Sequence, residues 1–148
     1  MSESTEPGAS TESWGTATDP HAADTGLRGR TYAIPFDRVW KAARGLADGG
    51  LRRWSLVRDD DREGTLEARS RTWPLGRVDE VMVSVGLDEN GQTRVDLRCR
   101  RIGDQVVQRR HPRLVRTFFA RLDRALGATA ADVLDPTRPP PWAEEAPR

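Results

Sequence analysis

Two runs of alternating residues constrain this chain more than anything else in it. Val81, Val83, Val85 and Leu87 alternate with Met82, Ser84 and Gly86; Val95, Leu97 and Cys99 then alternate with Arg94, Asp96, Arg98 and Arg100. A period of two is that of a strand with one face buried. Asn90-Gly91 between the runs supplies the residues that tolerate positive φ in a tight turn. The pair predicts a long antiparallel hairpin, and its apolar face has to be covered by other apolar elements.

Two helical patterns offer that cover. Phe36, Val39, Trp40, Ala43, Leu46 and Ala47 recur at helical spacing, with Asp37 in the first turn, where the helix dipole favours an anion, and Gly49-Gly50 at the end. Pro112 opens a second helix whose Leu114, Val115, Phe118, Phe119, Leu122, Ala125 and Leu126 form one wide apolar face, stopped by Gly127. Three further strands are expected: Arg28 to Ile34, closed by Pro35, then Trp54 to Asp59 and Thr65 to Arg71. The last two are joined by an acid-rich turn through Asp60, Asp61 and Gly64. With hairpin-length turns between the last four strands, the expectation is an α+β domain. It is a two-layer sandwich of a five-stranded, mainly antiparallel sheet in the order β-α-β-β-β-β-α, with both helices on one face and the other face exposed.

Composition places the boundaries. Residues 1–26 hold five acids and no base, 27–126 hold 22 bases against 14 acids, and 127–148 hold two bases against four acids. The expected organisation is a disordered acidic tail at 1–26, a folded domain at 27–127 and a Pro-rich disordered tail at 128–148. Pro139-Pro140-Pro141 forbids a helix in that last stretch. Trp142 beside it reads either as a docking anchor or as a side chain that packs back on its own domain, and Trp14 is a stray aromatic. The single cysteine, Cys99, excludes an internal disulfide and has no neighbour at metal-ligand spacing. No basic and apolar leader opens the chain, and no stretch approaches the roughly 20 apolar residues of a membrane span. A cytoplasmic protein without cofactor or metal is the expectation.

Candidate function lies in the arginines, which make up every basic residue except Lys41. Arg113, Arg116, Arg121 and Arg124 gather opposite the apolar stripe of the second helix, and Arg109, Arg110 and His111 extend them toward its start. Arginine clusters fit phosphate and carboxylate groups bidentately; a solvated helix face and the coding bias of a GC-rich genome explain the same pattern. On the sheet, alternation puts Glu67, Arg69 and Arg71, then Ser84 and Gly86, then Arg94, Asp96, Arg98 and Arg100 on the face away from the valines. That face is either an ion-pair ladder or a shallow anion-binding floor. Ser84 and His111 have no catalytic neighbour at sequence level, His21 falls in the acidic tail, and Cys99 points into the core by alternation, so no catalytic residue is assigned.

The runs Glu67-Ala68-Arg69-Ser70-Arg71-Thr72-Trp73, Asp79-Glu80-Val81-Met82-Val83-Ser84-Val85, Arg94-Val95-Asp96-Leu97-Arg98 and Arg101-Ile102-Gly103 resemble the bacterial domain of unknown function 1499 family over roughly residues 31–126. Asp96, Arg98, Arg101, Gly103, Val107, Arg113 and Leu114 fall on matching or similar positions of that family's pattern, whereas Gln105, Val106, Gln108 and Arg110 depart from it. The resemblance implies a fold rather than an activity. Ile34-Pro35-Phe36-Asp37-Arg38-Val39-Trp40 also looks like the entry to the first helix of START-like lipid-transfer and polyketide-cyclase domains, which implies an apolar ligand held between sheet and helix. Taken together, the sequence leads to a non-catalytic binding or accessory domain acting through Arg69, Arg98, Arg101, Arg109, Arg110, Arg113 and Arg116 on a protein or anionic partner. A START-like apolar ligand site is the alternative. Nucleic acid is a less favoured partner, because no aromatics interleave with the arginines.

Overall fold

A computed structural model of the chain describes residues 15–72, 76–102, 112–136 and 139–142. The strands are β1 (Thr16–Ala17), β2 (Arg30–Tyr32), β3 (Trp54–Asp60), β4 (Thr65–Thr72), β5 (Arg77–Leu87), β6 (Thr93–Arg101) and β7 (Val133–Leu134), and the two α-helices are α1 (Phe36–Gly45) and α2 (Pro112–Leu126). They form an α+β fold around an open sheet with the order β3-β4-β5-β6-β2-β7. Every pairing is antiparallel. None of the helices among the described residues is long and apolar enough to cross a membrane.

The hairpin forms as the alternation predicts. Val81 faces Cys99, Val83 faces Leu97 and Val85 faces Val95 across β5 and β6, and Asp88 N–H donates to the Gln92 carbonyl to close the turn. These six side chains are almost wholly buried and share one core with Val39 and Ala43 of α1 and with Leu114, Val115, Phe118, Phe119 and Leu122 of α2. Aromatic contacts lock that core. Trp54 stacks on Phe118 at 5.7 Å, and Phe118 meets Phe119 edge-on at 5.6 Å. Tyr32 of β2 reaches α2, where its hydroxyl donates to Asp123 Oδ1 at 2.6 Å, and Arg30 Nε lies 3.4 Å from the same carboxylate. Burial and that carboxylate both push the Tyr32 phenol far above its ordinary range.

Among the described residues the sheet has seven strands rather than five. The two additions, β1 and β7, lie outside residues 27–127 and are only two residues long, too short for any alternation to show. The first strand is also shorter than Arg28 to Ile34, because Gly29 turns through φ +80 just before it. A Cβ at Gly29 would lie 2.7 Å from Asp96 Oδ1, so only glycine lets the chain enter β2 this close to β6. At β3 a bulge between Leu56 and Arg58 leaves Val57 outward, and together with the charged Arg58, Asp59 and Asp60 it interrupts an edge on which another strand could pair.

Candidate functional site

The face of the sheet away from the valines was expected to be exposed, yet Asp96 is 1% and Arg98 7% accessible. Segments from both ends of the chain cover them. Gly15 N–H and Thr18 N–H donate to the carbonyls of Cys99 and Leu97, drawing β1 along β6. Thr18 Oγ1 then donates to Asp96 Oδ1 at 2.7 Å and accepts from Leu97 N–H at 3.2 Å. From the other end, the Trp142 ring covers the Arg98 guanidinium, with Cζ 4.9 Å from the ring centre. Arg94 Nη1 donates to the Pro139 carbonyl at 3.1 Å.

Between the C-terminal cover and the two hairpin turns lies a cleft of about 490 Å³. Its floor is sheet: Thr31 of β2, Arg94 and Asp96 of β6, and Ser84, Val85, Gly86 and Leu87 of β5. Pro136, Pro139 and Pro141 line it from the C-terminal segment, and Glu63, Asp88 and Glu89 line it from the two hairpin turns. Gly86 pairs with Arg94, which pairs in turn with Thr31, so one cross-strand row runs through the floor. A Cβ added at Gly86 would meet nothing within 4 Å; this is where the floor is bare backbone.

The floor is anchored by one buried ion pair. Arg94 binds Asp96 bidentately, Nε to Oδ2 at 2.6 Å and Nη2 to Oδ1 at 3.2 Å. Burial raises the Asp96 carboxyl above its ordinary range, and the Arg94 and Thr18 hydrogen bonds oppose that rise. Such a pair fixes geometry more than it adds stability. Asp88 is held as firmly, its Oδ1 accepting from the backbone N–H of Asn90 and of Gln92.

Of the seven arginines singled out by sequence, the five that are described lie on different faces and elements. Arg69 is exposed on β4, in a row with Glu80 and Arg100. Arg98 belongs to the covered face, beneath Trp142. Arg101 falls on the core side of β6, where it pairs with Asp79 at 3.2 Å. Arg113 is exposed on α2. Arg116, one turn on, pairs with Asp24, whose carboxyl is held below its ordinary range by that arginine and by Gly26 N–H. Arg109, Arg110 and His111 lie outside the described residues. The ladder reading of the sheet face is visible in part: Arg100 pairs with Glu80 at 2.8 Å and Arg58 with Glu67 at 3.6 Å.

Sequence reasoning missed the cleft's walls. Alternation identified Ser84, Gly86, Arg94 and Asp96 as one face, but nothing local in Thr18 or in the prolines announces that they close over it. No protein-family model matches the chain and no curated protein matches it, so the reading of this site rests on its geometry.

Proposed function

We propose that the protein is a non-catalytic small-ligand-binding domain whose site is the cleft between the outer sheet face and Pro136, Pro139 and Pro141. In this reading the domain is a two-layer sandwich, with the helices against the valine face and the ligand on the other. The observation that carries it is a cleft whose floor is the sheet at Gly86 and whose wall is Pro136, Pro139 and Pro141 of the C-terminal segment, with Asp96 of the floor held by Thr18 from the N-terminal side. A volume of about 490 Å³ falls within the usual range for small-molecule sites, about 300–1,000 Å³.

A binding role is favoured over a catalytic one by the state of the nucleophiles. The Cys99 thiol is buried and pushed up to about 12, chiefly by desolvation, so at neutral pH it is not a thiolate. Ser84 makes no hydrogen bond with any described base that would activate it. The site also lies across the sheet from where a START-like ligand would sit. There, Val81, Val83, Leu97, Phe118 and Leu122 are each fully buried within one core.

The test is a thermal-shift screen of the full chain against compounds chosen by charge and size, run in parallel on Gly86→Val. Valine suits a strand and meets no atom at its Cβ, so the variant folds while its side chain fills the floor. Saturable stabilisation of the wild type that is lost in Gly86→Val supports the reading. Equal stabilisation of both proteins by every active compound overturns it.

One observation favours a second surface. Arg113, Arg121 and Arg124 are exposed on α2, and none makes an ion pair with a described residue. This row is the part of the arginine pattern best placed to meet an acidic partner.

A further inference from the structure

We infer that the outer face of β6 around Arg94 and Arg98 is a docking surface for a proline-rich segment that carries a tryptophan, presented by a partner protein, and that residues 139–142 occupy it as the chain's own internal ligand. The inference stands whether or not a small molecule enters the cleft, with which the surface shares Arg94 and Pro139.

The seated segment shows what the surface reads. Pro140 and Trp142 are buried, whereas Pro139 and Pro141 are exposed, so alternate residues face the sheet. A run of prolines offers backbone carbonyls but no N–H groups, and a surface that binds one has to supply the donors. Arg94 does so. Asp96 holds its Nε and Nη2, and Nη1 donates to the Pro139 carbonyl at 3.1 Å. One side chain is selected as well: the Trp142 ring lies over the Arg98 guanidinium at 4.9 Å, and indole is the aromatic ring that best meets a desolvated cation. Fixed φ angles at successive prolines keep the segment stiff, so docking costs it little entropy.

The segment can leave without unravelling the fold. Residues 139–142 add no strand to the sheet, and their release breaks no strand pairing. What it uncovers is polar: Arg94 stays paired with Asp96, and both lie beside Ser84 and Gly86 of β5. Such a face accepts water, as the valine face would not. A second copy gains nothing by exchange, since its segment would make only the contacts already made in cis, where tethering sets an effective concentration of about millimolar. A partner's segment adds contacts outside the seat, and those decide the competition.

The probe is a fluorescent, capped peptide of residues 136–143, titrated by anisotropy into full-length Trp142→Ala, in which the internal ligand has lost its anchor. It is expected to bind at one site, at least about tenfold tighter than to wild type, whose seat is filled. Replacing the peptide's tryptophan with alanine, or adding Arg98→Gln to the protein, is expected to weaken binding by about tenfold or more. In isotope-labelled wild type, excess unlabelled peptide is expected to move the Trp142 indole resonance to its position in the free peptide, a reading that needs no variant to fold. If a peptide with alanine in place of all three prolines 139–141 binds as tightly as the native one, the surface reads the aromatic ring alone and the proline-rich class is overturned. Wild type that dimerises with rising concentration, through a contact abolished by Arg98→Gln, makes a second copy the occupant and overturns the partner assignment. No peptide binding to Trp142→Ala, together with an unmoved Trp142 indole in wild type, overturns the docking surface itself and leaves the cleft to its own screen.

Discussion

The Arg98 guanidinium lies beneath the Trp142 ring, 4.9 Å from its centre, and this contact joins the C-terminal segment to the middle of the sheet. Both residues are 7% exposed. A desolvated cation–π pair is worth about 2 kcal/mol, and the ring buries apolar surface besides. Trp142→Ala should therefore destabilise the protein by about 3 kcal/mol in urea unfolding, and Trp142→Phe by clearly less. A loss below about 0.5 kcal/mol, the size of an ordinary surface substitution, would mean that the segment is not held there.

On the opposite face, Phe118 is fully enclosed between Trp54, Phe119 and the valine strands. Phe118→Ala should cost about 3–5 kcal/mol. No fatty acid, isoprenoid or aromatic compound should stabilise the wild type by entering this core. One that did, saturably, would favour a START-like site between sheet and helix.

How far these contacts were legible follows from how each leaves a trace along the chain. The valine face of β5 and β6 imposes a period of two, and α1 and α2 impose a helical period, so the five longer strands and both helices could be located. The side of Arg101 was readable as well, since it shares parity with Leu97 and Cys99 and lies opposite Asp79. Its charge drew attention to solvent instead. Thr16–Ala17 and Val133–Leu134 are too short to show a period. Thr18 with Asp96, Arg94 with Pro139 and Trp142 with Arg98 are long-range pairs between residue types that are common at any surface. The cleft depends on those pairs, which is why its floor was foreseeable and its walls were not.

Alkaline pH should weaken the fold through Cys99. Its folded value is raised from an ordinary 9.0 to about 12, so its contribution is complete below pH 9 and is lost as pH rises toward 12, with a slope of at most about 1.4 kcal/mol per pH unit. Cys99→Ala should flatten that part of the stability profile, measured in a Tyr32→Phe background because Tyr32 titrates with the same sign. An unchanged slope would place the thiol in contact with water.

Should α2 meet an acidic partner, heparin or a poly-glutamate probe ought to bind more weakly as salt rises, and replacing Arg113, Arg121 and Arg124 with Gln should reduce both affinity and salt dependence. Melting temperature should hold, since all three are exposed. Absence of binding at 150 mM salt (about physiological ionic strength) would leave these arginines as a solvated helix face.

The most direct measurement of the central claim is a map of backbone amide shifts in isotope-labelled full-length protein titrated with a compound that stabilises it. The predicted shifts centre on Thr31, Ser84, Gly86, Leu87 and Arg94, and grow to saturation with the same dissociation constant as the thermal effect. Shifts centred instead on Arg113 to Arg124, or on the Phe118 and Leu122 core, would contradict the assignment of the binding site to the cleft.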